Sequence, residues 1–358
     1  MKLGLFGLNG IGISMTKVPE ALSGDWSASV RASKVADQVG IEALVPYARW
    51  KGYVEEEPEH RSGIALDCYT WAAATGQATT QSAVFTTSHV PTIHPILAAK
   101  QCATIDHISG GRLALNVVAG WNRPELEMFG AAMREHDDRY AQAGEWIELL
   151  RRLWTEDEAF DHEGSYYRVS KAISLPKPVQ HPFPPIMNAG GSDRGREFAA
   201  KYADIAFVIV KADDEASIRA EVDAYRKLAR EEYGRDIQVW TFSYVVQRPT
   251  EKEARDYLHY YAEENGDDRS LEGWMRLQGM NTKLMPPEVM ESLRFRFKAG
   301  NGGFELVGTP EQITDRIAML SRAGIDGVLL SWVDYDDGLS RWSDGVAPLL
   351  VQAGLRKA

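Results

Sequence analysis

Short β-rich runs alternate with amphipathic helical stretches along almost the whole chain, and this alternation restricts the fold more than any other feature. The runs fall at residues 2–8, 41–47, 81–88, 112–120, 184–190, 203–210, 237–246 and 327–333. Helical spacing of apolar residues follows near 26–39, 64–76, 95–108, 138–154, 193–202, 213–233 and 250–264, with a further helix near 310–323 before the last run. Repetition of strand and helix builds a parallel sheet. LALNVV and DGVLLS are continuously apolar, as strands covered on both faces are. Eight such units leave no edge strand if the sheet closes on itself. The expected fold is therefore α/β, a (β/α)8 TIM barrel with insertions, formed by residues 1–358 as one domain.

Three segments fall outside the repeat. Residues 50–63 read as a polar loop, in which the run Glu55–Glu57 is expected to be solvated. Residues 156–183 read as a hairpin with a proline-rich return, and residues 266–304 as a long insertion rich in Gly, Arg, Met and Phe. Long insertions on a barrel form lids or interfaces, and the last is expected to cover the barrel mouth as a mobile lid.

Charge and cysteine content narrow the partners. With 40 basic and 51 acidic residues the net charge is −11, so Coulomb repulsion disfavours nucleic acid and acidic membranes as partners. The N-terminal MKLGLFGLNGIG breaks at glycines and resembles neither a signal peptide nor a membrane span, so a cytoplasmic protein is expected. Cys68 and Cys102 are too few for a disulfide framework and are expected to be buried structural thiols.

In a (β/α)8 barrel the C-terminal strand ends and the loops after them form the active-site face. LNVVAGWNRPELEMFG (115–130) is such an end. Asn116 can point its amide into the mouth, Gly120 permits a sharp turn, and Trp121 either walls a planar ligand or plugs the barrel top. IMNAGGSDRGREFAA (186–200) runs from strand through Gly190 and Gly191 to Ser192, a candidate N-cap. Free backbone N–H groups, a hydroxyl and the helix dipole make this a phosphate cradle, or alternatively a plain turn. In TTSHVPTIHP, His89 and His94 are the histidines expected to face the pocket, His89 in contact with substrate or in acid–base work.

Other motifs exclude chemistry. GLNGIG at 7–12 has the wrong spacing for a dinucleotide fingerprint, and neither GxxxxGK[ST], HExxH nor GxSxG occurs. The dispersed histidines give no metal site, and none is expected. Trp146, Leu149, Leu150, Leu153 and Trp154 recur at helical spacing and are expected to be core.

Several long runs carry a resemblance: TIDHISGGRLALNVVAGWNRPELEMFG, EHDDRY, EWIELLRRLWTEDEAFDHEGSYYRV, PKPVQHPFPPIMNAGGSDRGREFAAKYADIAFV, VGTPEQITDRIAMLSRAGIDGVLLSWVDYDDGL and VAPLL. Together they resemble the bacterial-luciferase-like flavin-dependent monooxygenases, within them the pyrimidine and dimethylsulfone monooxygenase group. The resemblance implies a barrel that receives reduced FMN from a separate NAD(P)H:flavin reductase and reacts it with O2. A flavin peroxide, at C4a or N5, would then oxygenate a small organic substrate, either an N-heterocycle such as a pyrimidine or a sulfone or sulfonate. Carried over residue by residue, the flavin contacts fall on Ala48, Arg49, Asn116, Glu125, Arg139, Tyr140 and Ser192, the last within the Gly190–Gly191 turn. An oxygen pocket falls on Thr87, Asn116 and Trp121, with Val45 as an apolar wall. Arg294 and Arg296 would serve an anionic substrate from the lid. A homodimer or homotetramer is implied by relatives. The alternatives are a deazaflavin (F420)-dependent oxidoreductase and a flavin-binding protein without turnover.

Overall fold

The computed structural model describes residues 1–280 and 286–357; residues 281–285 of the expected lid lie outside the described residues. From the N-terminus the chain forms β1 (Lys2–Phe6), α1 (Trp26–Gln38), β2 (Ala43–Val45), α2 (Cys68–Ala78), β3 (Ala83–His89), α3 (Pro95–Ser109) and β4 (Leu113–Val118). Helices α4 (Arg123–Met128) and α5 (His136–Thr155) lead to an antiparallel hairpin, β5 (Phe160–Glu163) and β6 (Arg168–Ala172). The alternation resumes with β7 (Ile186–Asn188), α6 (Asp193–Tyr202), β8 (Ile205–Phe207), α7 (Glu215–Tyr233), β9 (Gln238–Gln247) and α8 (Glu251–His259). The long insertion holds α9 (Asp268–Leu277) and α10 (Pro287–Gly300) and ends in β10 (Phe304–Gly308). It is followed by α11 (Pro310–Arg322), β11 (Gly327–Ser331), α12 (Tyr335–Arg341) and α13 (Ala347–Gln352).

The strands expected from sequence close the barrel. Parallel pairing runs β11, β1, β2, β3, β4, β7, β8 and β9, and β9 pairs back to β11. β10 is an addition that sequence periodicity did not reveal. It pairs with β9 at Ser243–Gln247, beyond the point where β8 stops at Phe207 opposite Trp240. Its five residues, FELVG, begin at Phe304, just past the end of α10 at Gly300, and are too short for alternation to separate from the insertion. The helix expected near 64–76 starts instead at Cys68, because Asp67 caps it by accepting the Thr70 N–H at 2.8 Å.

Side-chain alternation along each strand decides what faces inward. Phe6, Val45, Phe85, Met187, Phe207, Trp240 and Phe242 fill the barrel, the rings of Phe6, Phe207 and Phe242 meeting at 5.6–5.8 Å. A Cβ on Gly327 would sit 2.4 Å from the Trp240 ring, so glycine is what admits that indole to the floor. Thr87 and Asn116 lie two residues beyond the inward Phe85 and Ala114 and stand opposite each other in register. Both side chains are thus delivered to the same layer at the mouth.

Outside the barrel, the α5 stripe is buried as expected, with Trp146 donating to the Ile93 carbonyl at 2.8 Å. Cys68 and Cys102 are buried free thiols whose pKa burial pushes up, which keeps them unreactive. Asp37 accepts the backbone N–H groups of Ser82, Thr80 and Gln81 at 2.7–2.8 Å ahead of β3. Burial opposes its charge, but these N–H groups outweigh it and hold the carboxyl at about 2.

The insertion is fastened over the mouth. A bridge pairs Thr16 with Gly266 at its start, and β10 ties its end to β9. A Cβ on Gly273 of α9 would meet the Tyr53 carbonyl oxygen at 1.9 Å, so the helix lies directly on the loop after β2. The acidic run in that loop is not simply solvated: Glu57 pairs with Arg269 at 2.6 Å and Glu56 with Arg276 at 3.9 Å. Among the described residues no helix is long and apolar enough to cross a membrane, and no group of metal-ligating side chains occurs.

Candidate active site

Asn9, fully buried, ties the first two strand-end loops together. Its amide donates to the carbonyls of Tyr47 (2.8 Å) and Leu66 (3.0 Å) and accepts the Tyr47 N–H at 3.0 Å. Tyr47 in turn takes the Ile11 N–H on its hydroxyl at 3.1 Å. Asn9 carries no sequence signal, because GLNG has the form of an ordinary turn.

Arg49 stands on this platform. Its guanidinium lies 4.1 Å from the Tyr53 ring centre and 5.2 Å from that of Tyr47, and it donates to the Tyr53 hydroxyl (2.5 Å) and the Ser62 carbonyl (3.0 Å). The two tyrosines flank Arg49 in YARWKGY, a spacing that signals stacking only once the loop is seen to curl back.

Glu125 joins three loops. Oε1 accepts the N–H groups of Trp50 (2.8 Å) and Lys51 (3.2 Å) and lies 3.8 Å from Arg49, while Oε2 lies 3.7 Å from His89. Its side chain is 1% exposed. Burial pushes its pKa up, against the opposing pull of the Trp50 N–H and Arg49. Burial, assisted by Arg49, lowers the His89 pKa to about 4, so this imidazole is neutral near pH 7.

Asn116 donates to the Thr87 hydroxyl at 3.2 Å, and that hydroxyl donates to the Pro46 carbonyl at 2.6 Å. The Asn116 carbonyl oxygen is buried without a partner. Buried amides left open in this way mark a place where a ligand completes the hydrogen bonding. Gly120, at φ +88°, turns the chain as expected. Trp121 is half-buried in an apolar cluster with Met15, Tyr53, Leu271 and Met275. It therefore stands between the β4 loop and α9, where it closes the side of the mouth.

The glycine turn after β7 has the form of a cradle. Asn188 accepts the Gly190 N–H at 3.0 Å and donates to the Val117 carbonyl at 2.8 Å, which sets the turn. Ser192 caps α6 by accepting the Gly195 N–H at 3.0 Å. A Cβ on Gly190 would lie 2.6 Å from Gly195 Cα and 2.7 Å from the Tyr140 hydroxyl, so backbone, helix and phenol converge here. A Cβ on Gly191 would meet nothing within 4 Å. Arg139 donates to the Gly120 carbonyl, and its buried Nε has no partner. An oxyanion-bearing group fits this donor set of capped helix and phenol.

Ala48, Arg49, Thr87 and His89 line one small cleft. Val45 belongs to the barrel filling. His94 is not brought to the mouth: it caps α3 by accepting the Ile96 N–H at 3.3 Å and packs edge-on to Tyr167. Arg294 is engaged by Asp268 (2.9 Å) and Glu272 (3.4 Å). A second cleft, under the insertion, is lined by Phe6, Tyr47, Arg49, Tyr53, Asp267 and Asn301 among others. Asp267, Ser270 and Asn301 carried no sequence signal, since they meet the mouth only through the path of the insertion.

A model of the luciferase-like monooxygenase family matches residues 1–327. The chain is 30% identical over 345 residues to an FMNH2-dependent dimethylsulfone monooxygenase of Pseudomonas putida, covering 95% of this chain and 92% of the relative. It is also 30% identical over 295 residues to a pyrimidine monooxygenase of Cronobacter sakazakii, covering 80% and 84%. Among solved structures, a riboflavin lyase bound to modified FMN and riboflavin superposes with a TM-score of 0.86 at 24% identity, covering 99% of this chain and 92% of its own. DmoA from Hyphomicrobium sulfonivorans gives 0.84 at 20%, covering 99% and 88%; at these identities the likeness is one of fold. With a family model spanning most of its length and relatives aligned almost end to end, the chain belongs to the luciferase-like monooxygenase family.

Proposed function

We propose that the protein is a two-component FMNH2-dependent monooxygenase that inserts an atom of O2 into a small organic substrate, an N-heterocycle or a sulfone-type compound. The observation that carries this reading is the Thr87–Asn116 pair at the mouth, its amide oxygen buried and open, on the strand beside the capped glycine turn of α6. Bound reduced FMN would supply the electrons and the activation of dioxygen. The chain supplies position, dryness and charge.

In this reading Gly190, Gly191, Ser192, Tyr140 and Arg139 hold the phosphate, through the α6 N-terminus and the guanidinium. Ala48 and Arg49 flank the ring system. The Asn116 amide N–H that is not given to Thr87 is the donor available where charge develops on oxygen, the open Asn116 carbonyl oxygen is left to accept from an N–H of the ligand, and Trp121 with its apolar neighbours keeps water from that place. Glu125, buried among protein groups, fixes Arg49 and the Trp50 backbone. Neutral His89 accepts or donates a hydrogen bond without carrying charge into the cleft. A flavin reductase would supply FMNH2 in the cytoplasm, and the chain would assemble as a homodimer or homotetramer.

The test is anaerobic mixing of the protein and photoreduced FMN with oxygenated buffer and candidate substrates, with reduced deazaflavin in parallel. Oxygenated product formed in proportion to FMNH2 oxidised is the expected result. Hydride transfer from the deazaflavin, with FMNH2 oxidation giving only hydrogen peroxide, would overturn the reading in favour of an oxidoreductase. Flavin binding with neither activity would mark a protein without turnover.

A further inference from the structure

The glycine cradle opens onto a groove on the outside of the barrel. Helices α5 and α6 flank this groove, the β5–β6 hairpin overhangs it, and its volume is about 470 Å³. Cradle and groove share Tyr140. Its hydroxyl stands at the glycine turn, 2.7 Å from where a Cβ on Gly190 would lie, and the residue also lines the head of the groove. Arg194 and Phe198, on the helix that Ser192 caps, carry the same surface away from the cradle. From Tyr140 to Glu148 the groove follows α5 for about 12 Å, at a rise of about 1.5 Å per residue.

The floor of the groove is aromatic. Tyr140, Phe198 and Tyr202 follow one another with ring centres 5.7 and 5.1 Å apart. Gly144 of α5 leaves room for this row, since a Cβ there would lie 3.2 Å from the Tyr202 hydroxyl. Tyr166 of the hairpin adds a further ring to the lining.

Most polar groups around the rings are already engaged. Glu145 pairs with His162 at 3.0 Å and accepts the N–H groups of Tyr166 and Tyr167 at 3.0 and 2.8 Å. Arg194 pairs with Glu197 at 2.5 Å, but both side chains are more than two-fifths exposed, so solvent screens the pair and an incoming anion can replace the carboxylate. Two groups at the foot of the groove stay open. Glu148 takes the Tyr202 hydroxyl on one oxygen at 2.6 Å, and its other oxygen has no donor among the described residues. Lys201 lies 4.7 Å from the Tyr202 ring centre and is in no ion pair among the described residues.

A row of rings beside one open carboxylate oxygen and one open ammonium suits a purine nucleoside. The base offers a π face to the rings and ring nitrogens that accept from Lys201, while amino and ribose hydroxyl groups donate to Glu148. An acyl chain would leave both charges unanswered. We propose that the groove is an adenylate subsite continuous with the flavin phosphate site, so that the chain takes reduced FAD as well as reduced FMN. The second phosphate then falls beside Arg194 and the adenosine over Phe198 and Tyr202. This assignment rests on the placement of the flavin phosphate at α6 in the functional reading above. A free adenine nucleotide is the other source of the same chemistry.

Anaerobic isothermal titration of the full-length protein with photoreduced FMN, photoreduced FAD and ADP tests the assignment. Reduced FAD should bind at least tenfold more tightly than reduced FMN. ADP should compete with reduced FMN, because its terminal phosphate corresponds to the flavin phosphate of FAD. Ala141→Trp at the head of the groove and Lys201→Glu at its foot, both at exposed positions, should each weaken reduced FAD about tenfold and leave reduced FMN unchanged. FAD binding no tighter than FMN, ADP and FMN binding together without competition, or indifference of FAD to both substitutions would each overturn the proposal; the second outcome would mark a separate nucleotide site. FMN affinity unmoved by Gly191→Val would sink the phosphate placement and the groove with it. FMN affinity lost in Gly191→Val, with no preference for FAD in the wild type, would sink the groove alone.

Discussion

The Glu125 carboxylate accepts the backbone N–H of Trp50 at 2.8 Å, so the helix that follows β4 fixes the loop that follows β2. Removing it with Glu125→Ala leaves the N–H groups of Trp50 and Lys51 unanswered and the buried end of Arg49 without its carboxylate. The expected cost is about 3 kcal/mol of stability, with Glu125→Gln losing less because one acceptor survives. Urea unfolding at neutral pH measures both, and equal midpoints for wild type and the alanine variant would refute the stapling role.

The α6 turn separates packing from binding at adjacent positions. Gly191→Val should leave the unfolding midpoint within about 0.5 kcal/mol, since its side chain enters open space, yet weaken FMN at least tenfold by filling the cradle. Gly190→Ala drives a methyl to 2.6 Å from Gly195 Cα and should destabilise the fold by about 1–3 kcal/mol. Paired thermal melts and FMN titrations check this, and unaltered FMN affinity in Gly191→Val would place the phosphate elsewhere.

Asn116→Ala should reduce product formed per FMNH2 oxidised by about a hundredfold, the lower end of the scale for losing one preorganised donor. Trp121→Ala should lower the same ratio by admitting water past the cluster with Met15, Tyr53, Leu271 and Met275. Hydrogen peroxide released alongside product gives the measurement. Full coupling in either variant would remove that residue from the oxygen site.

His89 predicts an acid limb in stability. Its folded pKa, about 4, lies below the ordinary 6.5, so the unfolded chain binds the proton more tightly. Stability is unaffected above about 6.5, is lost progressively as pH falls from there to about 4, and is not lost further below. The whole span is worth about 3 kcal/mol. His89→Gln should flatten that limb in urea midpoints taken across the window; an unchanged slope would mean that the ring titrates normally.

Asp37 acts in a lower window, with the opposite kind of group. Its depressed pKa means that stability is fully present above about 3.8 and is lost as pH falls towards 2, about 2 kcal/mol in all. Asp37→Asn should therefore destabilise at pH 7 by a similar amount and lose its difference from wild type near pH 2. A variant as stable as wild type at neutral pH would contradict the capping of the turn before β3.

The barrel was legible because its signal is local: each strand carries its own apolar run and each helix its own period, so LALNVV or GEWIELLRRLW announces itself without knowledge of neighbours. Asn116 as a strand-end residue and Ser192 as a helix cap were legible for the same reason, since strand ends and helix caps are properties of short segments, whereas Thr87 was pointed to only by the resemblance. Asn9, Tyr47 and Tyr53 escaped because their function arises when two loops fold onto each other, and no periodicity encodes that. Arg294 and Glu55–Glu57 misled because a charge in sequence does not show its partner; both find theirs on or beside α9. His94 misled by nearness to His89, since five residues along a chain that enters a helix carry a side chain to the outer wall.

The bridge at Gly266 and the strand at β10 make the segment between them separable from the barrel that carries it. Closure of the eight strands does not depend on what lies between those two fastenings, whereas Asp267, Ser270 and Asn301 are set wholly within them. The separation is one of chain path and not of packing: Trp121 of the β4 loop rests on Leu271 and Met275, so any exchange of that segment would have to rebuild one wall of the mouth along with the roof.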